Sequence, residues 1–300
     1  MTLGQTYGQT VKYLGNFGGA DISDLDEIDC IFVHDNLIYV QDDDDDDVKV
    51  FDKNTQTLVT SFNDAQLSDS EDGIVVSPPY IFVVENSDDE ILVFNLSDNS
   101  YNTNFGDTRL NEISGLAAGD GKIFVADESS NDIEVFSSSP PFTHLGTIND
   151  SDVDEPVSLS SDGQMLYVVE RDLDVISIRN TDSPFAQTAT VPLPLDGDSG
   201  VAVDDKFIYV IGSDNLIHVF DKTNFGLITR INTNDEVDDP ACLAVDGNRI
   251  YVADEDNDVI QVFSLTFENV PTMSQWSLFV LALMMIITGI VSLKVAPERS

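Results

Sequence analysis

A unit of about 42 residues, written six times, constrains this chain more than any other feature. Its clearest copy is residues 240–263, PACLAVDGNRIYVADEDNDVIQVF. Three short strands are legible there: CLAV (242–245), RIYVAD (249–254) and VIQVF (259–263), separated by a DGN turn and an acidic loop. Tyr251 is preceded at the matching place by Tyr209, Tyr167, Phe124, Phe82 and Tyr39, at spacings of 42, 42, 43, 42 and 43 residues. A period this strict means one supersecondary unit stacked on copies of itself.

A fourth, outermost strand follows several copies, as in TLVTSF (57–62), FTHLGTI (142–148) and GLITRI (226–231). The last copy ends near Phe267 without one, while VKYLGNF (11–17) stands alone before the first. The stray segment is expected to complete the last sheet, because a closed ring hides the two sheet ends that an open array exposes. The spacing therefore predicts an all-β, six-bladed β-propeller of four-stranded antiparallel blades over 11–268, with the N-terminal strand closing the last blade. Residues 1–10 read as a flexible tail. No helical pattern of 10–15 residues separates the strands, which argues against a parallel α/β fold.

The repeat resembles the NHL family, whose blades carry Gly-Val-Ala-Val-Asp, Ile-Tyr-Val-Ala-Asp and Ile-Gln-Val-Phe strands. LAVD (243–246), IYVAD (250–254) and IQVF (260–263) match it closely, as do GVAVD (200–204), IFVAD (123–127) and IEVF (133–136). The family commonly places a basic residue just before the third strand, where this chain has Asp132 and Asp258. A binding mode that depends on those basic residues is not implied here.

Residues 269–300 break the period. An uncharged run over 277–293 reads as a transmembrane helix at the lower length limit, with Trp276 at one interface and Lys294 at the cytoplasmic end. A closed propeller offers no groove for so uniformly apolar a helix. The segment Val-Pro-Thr-Met-Ser-Gln-Trp (270–276) is similar to the IPTL-CTERM protein-sorting signal of bacteria through Pro271, Thr272, Ser274 and Trp276. That resemblance implies export, recognition by envelope sorting machinery, and anchoring in or processing at the membrane. No signal peptide is visible at the start, so a truncated start is expected, with a tail-anchored cytoplasmic protein as the alternative.

Charge is the second anomaly. The chain has 55 Asp and Glu against 13 Lys and Arg, a net charge of −42. Nucleic acid is excluded as a partner, since it needs basic patches. Cations, a cationic protein or no partner at all remain. Propeller topology brings the loops between second and third strands to the same face as the segments leading into each inner strand. By that sorting 42 of the 55 acids crowd one face. At ~10 Å in water each unscreened pair costs roughly 0.4 kcal/mol, less in salt. Calcium is the natural relief, being a hard ion that takes oxygen ligands from flexible acidic loops. Asp254, Asp256 and Asp258 resemble half a calcium loop, but Val259 stands where an EF-hand needs Gly. Asp29, Asp72, Glu112, Glu155, Asp198 and Asp239 each precede an inner strand and form a candidate metal-holding ring at the channel mouth. Solvated turn chemistry, which favours Asp, explains the same residues without a ligand.

Cys30 and Cys242 occupy one repeat position, where the other copies have Gly73, Gly115, Ser158 and Gly200. Either the position accepts only small side chains, or the pair bridges the ring closure. His34, His144 and His218 fall in different strand classes, so a three-histidine zinc site is excluded. No nucleophile elbow, P-loop or dinucleotide fingerprint is present, and no catalytic residue is assigned. Two readings follow. One is a non-enzymatic bacterial surface or secreted scaffold, binding or adhering through a calcium-loaded acidic face. The other is a calcium-dependent hydrolase resembling lactonase-type propellers, with the metal at the channel mouth.

Overall fold

The computed structural model describes residues 7–18, 25–68, 72–106, 108–193, 200–212, 214–232, 237 and 240–269. The first strand is β1 (Tyr7–Gly18). Blade one comprises β2 (Ile28–His34), β3 (Leu37–Asp42), β4 (Asp47–Asp52) and β5 (Thr57–Phe62). Blade two comprises β6 (Ile74–Ser77), β7 (Tyr80–Glu85), β8 (Glu90–Asn95) and β9 (Tyr101–Phe105). Blade three is β10 (Ile113–Gly119), β11 (Lys122–Asp127), β12 (Asp132–Ser137) and β13 (His144–Ile148). Blade four is β14 (Pro156–Ser161), β15 (Met165–Glu170), β16 (Val175–Asn180) and β17 (Gln187–Pro192). Blade five runs through β18 (Val201–Val203), β19 (Phe207–Ile211), β20 (Leu216–Asp221) and β21 (Leu227–Asn232). β22 (Pro240–Asp246), β23 (Arg249–Asp254) and β24 (Val259–Asn269) complete the series.

Five sheets pair their four strands in chain order, and the sixth has the order β1-β24-β23-β22. The described chain is therefore an all-β, six-bladed propeller of four-stranded antiparallel blades. The strand expected at 11–17 begins at Tyr7, inside the stretch expected to be loose. Tyr13 stacks on Phe263 with ring centroids 5.4 Å apart, and its hydroxyl donates to Gln261 Oε1 at 2.8 Å. The blades belong to the compact unit Tyr13–Ser264, while the chain ends form a second unit, in which Thr266 Oγ1 donates to the Thr10 carbonyl at 3.3 Å.

Sequence pattern and burial agree strand by strand. Second strands are apolar throughout because both of their faces meet neighbouring blades: Ile250, Tyr251, Val252 and Ala253 are all 1 % exposed or less. Outer strands meet solvent, and Thr57–Phe62 is exposed along nearly its whole length. The core lies between blades. One cluster joins Phe51 and Ile38 of blade one to Tyr251 and Val262 of blade six, and another joins Phe82 of blade two to Phe136 and Phe142 of blade three. Each fully buried large side chain contributes roughly 1.5–3 kcal/mol. Inner strands bulge just before the small repeat position, for instance between Pro240 and Cys242 and between Pro156 and Ser158. The reason is close approach: a Cβ on Gly73 would lie 2.8 Å from the Leu116 Cβ.

The helix expected over 277–293 and the sorting residues Pro271, Thr272, Ser274 and Trp276 lie outside the described residues. Among the described residues no helix is long and apolar enough to cross a membrane.

Candidate functional site

Acids on the crowded face do three different things, and their place in the repeat decides which. Asp42, Glu85, Asp127, Glu170 and Asp254 each end a second strand and are 1 % exposed or less. Their carboxylates cap the turns that follow: Asp88 N–H donates to Glu85 at 3.0 Å, and Ser130 N–H to Asp127 at 3.0 Å. They also hold the segment entering their own blade. The N–H groups of Asp26, Asn111 and Asp154 donate to Asp42, Asp127 and Glu170 at 3.2, 2.9 and 3.0 Å. Buried carboxylates persist because such donors satisfy them. Burial still pushes Asp42 up to about 6, although Lys49 Nζ sits 2.6 Å away, and pushes Glu170 up to about 7. These five residues look like surface charges in the sequence. Their signal was constancy at the last position of a buried strand.

A second group ties blade to blade. Glu27, Asp72, Glu112 and Glu155 adopt positive φ of 50°, 63°, 65° and 48°, a left-handed conformation that is uncommon outside glycine and that Asp adopts more readily than Glu. At three of these places the backbone N–H reaches the last turn residue of the preceding blade. Glu27 donates to Asp258 at 3.1 Å, Glu112 to Asp89 at 2.9 Å and Glu155 to Asn131 at 2.8 Å. These bonds put the second-to-third turns and the entering segments on one face, as the acid sorting requires.

The sequence-derived ring divides on this framework. Asp72, Glu112 and Glu155 take the left-handed position, and in blade one Glu27 takes it. Asp29 sits further along, half-buried inside β2. Asp72 is exposed and accepts from Asn86 Nδ2 at 2.9 Å. Asp198 and Asp239 lie outside the described residues. Of the half calcium loop, Asp254 is buried and bonded by Gln261 at 2.8 Å and by Asn257 at 3.0 Å, Asp258 holds Glu27, and Asp256 is exposed. Among the described residues no three or more His, Cys, Asp or Glu are grouped so as to hold a metal ion.

Asp72 and Glu112 do meet in one cleft. Its volume is 470 Å³ and its lining includes Asp72, Asn86, Asp89, Glu112, Glu128 and Arg171. Arg171 Nη1 lies 2.6 Å from Glu128 and 3.6 Å from Glu155, so one cation serves two blades. Burial and the charge of Asp172 raise the Glu155 carboxyl, against the pull of Arg171. Asp26 is raised chiefly by the charge of Asp258.

On the opposite face the lysines are already engaged. Lys53 pairs with Asp246 of blade six at 2.7 Å, and Lys222 with Asp162 of blade four at 2.6 Å. Around the axis the inner strands enclose a 210 Å³ cavity lined by Cys30, Gly73, Gly115, Ser158, Gly200 and Cys242 among others. Cys30 and Cys242 form a disulfide with Cα atoms 5.0 Å apart. Both readings of this repeat position hold: it is crowded, and it is bridged. His34, His144 and His218 stand in blades one, three and five, and His144 and His218 face Glu134 and Asp214.

Arg179 escaped the sequence reading. Fully buried in β16, it forks onto Asp150 with two bonds of 2.8 Å and donates to the Asp152 carbonyl at 3.0 Å, pinning the strap that leads into blade four. A lone Arg in the apolar strand VISIRN was its only signal.

A scan against protein-family models and a search of curated proteins return no match for this chain.

Proposed function

We propose that this protein is a non-enzymatic bacterial surface or secreted scaffold of NHL-like repeats, binding a cationic protein or matrix ligand through its acidic face, with calcium as the accessory ion. The observation that carries the reading is the 470 Å³ cleft in which Asp72, Asp89, Glu112 and Glu128 gather with one arginine. Its volume lies within the range of ligand sites, roughly 300–1,000 Å³, whereas the 210 Å³ axial cavity falls below it. That comparison favours the acidic face over the axial cavity as the place where a ligand binds. Of the candidates Asp29, Asp72, Glu112, Glu155, Asp198, Asp239, Asp254, Asp256 and Asp258, the exposed carboxylates Asp72, Glu112 and Asp256 offer the hard oxygen donors that calcium prefers, while Asp254 is held by Gln261 and Asn257.

Export to the cell envelope is part of the proposal, since a disulfide persists in oxidising compartments. The sorting motif at Pro271, Thr272, Ser274 and Trp276 addresses the chain to envelope machinery, and 277–293 anchors it in the membrane. Pairing of β1 with β24 is proposed to close the ring. The alternative is a calcium-dependent lactonase-type hydrolase with one metal at the channel mouth.

Calorimetric titration of the full chain with calcium chloride, and separately with a lysine-rich peptide, tests the reading. Several weak calcium sites are expected, with peptide binding that weakens steeply between about 0.05 and 0.5 M salt. One tight calcium site with lactone hydrolysis establishes the alternative. No binding of either probe overturns both.

A further inference from the structure

We propose that the Cys30–Cys242 disulfide is a thiol-operated latch on the ring, reached through the axial cavity. In the sixth sheet β1 lies outermost beside β24, so the join between the chain's two ends is made by hydrogen bonds and by packing such as Tyr13 on Phe263. The disulfide acts elsewhere. It links β2 of blade one to β22 of blade six across a sequence separation of 212 residues, making a covalent circle that does not include β1. With the bond in place, unzipping of β1 leaves blades one and six joined. Without it, their junction rests on Lys53–Asp246, on Glu27 N–H to Asp258, on Arg249 Nη1 donating to the Lys53 carbonyl at 3.2 Å, and on packing.

Placement makes the bond addressable. Both cysteines are half-buried and line the 210 Å³ axial cavity, whose other lining at this repeat level is glycine and serine. A small thiol fits a space of that size and a protein does not. The exchange balances with two thiols: a thiolate attacks one sulfur, forming a mixed disulfide and releasing the other cysteine as thiolate. A second small-molecule thiolate then attacks the small molecule's sulfur in the mixed disulfide, breaking its bond to the cysteine and leaving as the small-molecule disulfide. The protons the two thiols gave up end on Cys30 and Cys242. The remaining blades are untouched. Reduction therefore loosens one junction without dissolving the fold, which is what distinguishes a latch from a staple.

The test treats the full-length oxidised chain with a low-molecular-weight thiol under native conditions, and in parallel with the same thiol on a bulky polymer. Small-thiol reduction is expected to expose two titratable thiols and leave the far-ultraviolet circular dichroism unchanged. Amide exchange through local opening should speed up at least about tenfold more in β2, β22 and β24 than in β10–β17. The polymer-borne thiol should react at least about tenfold more slowly. A Cys30→Ser variant, which installs the residue that blade four uses at Ser158, is expected to reproduce the exchange pattern without any thiol. Reduction that occurs only together with global unfolding, equal rates for the two thiols, or unchanged exchange in β2 and β22 overturns the proposal.

Discussion

Mild acidification should stabilise this protein. Glu170 is fully buried, and its carboxyl is pushed up to about 7 from an ordinary 4.5, chiefly by burial. Below 4.5 the carboxyl is protonated in the folded and unfolded chains alike, so folding carries no ionisation cost. Between 4.5 and about 7 the unfolded chain gives up the proton that the folded chain retains, and stability falls as pH rises. Above about 7 the loss is complete. A displacement of this size is worth on the order of 3 kcal/mol as a ceiling, at about 1.4 kcal/mol per pH unit. Asp42 and Asp132, both pushed up to about 6, act in the same direction, as does repulsion within a net charge of −42. The counterforce comes from Asp52, Asp98, Asp120, Asp150, Asp162 and Asp221, held below the usual carboxylate range by their hydrogen bonds. Their contribution is lost only when pH drops through those lowered values, below about 4. The result is a stability maximum on the acid side of neutrality. Calorimetric melting at constant ionic strength should show Tm rising by about 5–10 °C from pH 8 to pH 5, given about 2–4 °C per kcal/mol for chains of this size. Glu170→Gln should flatten much of that slope. A Tm that is constant, or that increases from pH 5 to pH 8, refutes the burial argument.

Other outcomes follow from the same contacts. Replacing both cysteines with serine removes a cross-link spanning 212 residues, for which chain entropy gives about 5 kcal/mol; equal denaturation midpoints with and without reductant would contradict this. Arg179→Ala leaves the strap from Asp150 to Asp152 unpinned and should cost about 1.5–3 kcal/mol in urea unfolding, since the carboxylate left behind is half exposed, with Arg179→Lys recovering only part, because one ammonium cannot replace the fork. Asp89→Ala removes the acceptor for Glu112 N–H and should cost roughly 1 kcal/mol, read as faster exchange at the junction of blades two and three. Asp72→Asn with Glu112→Gln should weaken capture of a lysine-rich peptide several-fold at low salt while leaving Tm within about 2 °C, since both carboxylates are exposed and few exposed charges support the fold.

Periodicity alone determined much of this protein. Aromatic residues from Tyr39 to Tyr251 recur at one spacing, and a strand that faces a neighbouring blade on each side must be apolar along its length, so strand order, blade number and core position were all legible. Tertiary structure decided which acids are surface and which are scaffold. Asp42, Glu85, Asp127, Glu170 and Asp254 look in the sequence like the solvated Asp and Glu beside them, and only the backbone and side-chain donors that the fold aims at them make burial tolerable. Glu27 rather than Asp29 at the left-handed position, and Arg179 reaching Asp150, likewise depend on register and approach that no local pattern encodes. The cysteines show the division most plainly. Their shared repeat position was visible at once, but only the joining of first and last blades brings 5.0 Å between two Cα atoms a sequence separation of 212 apart.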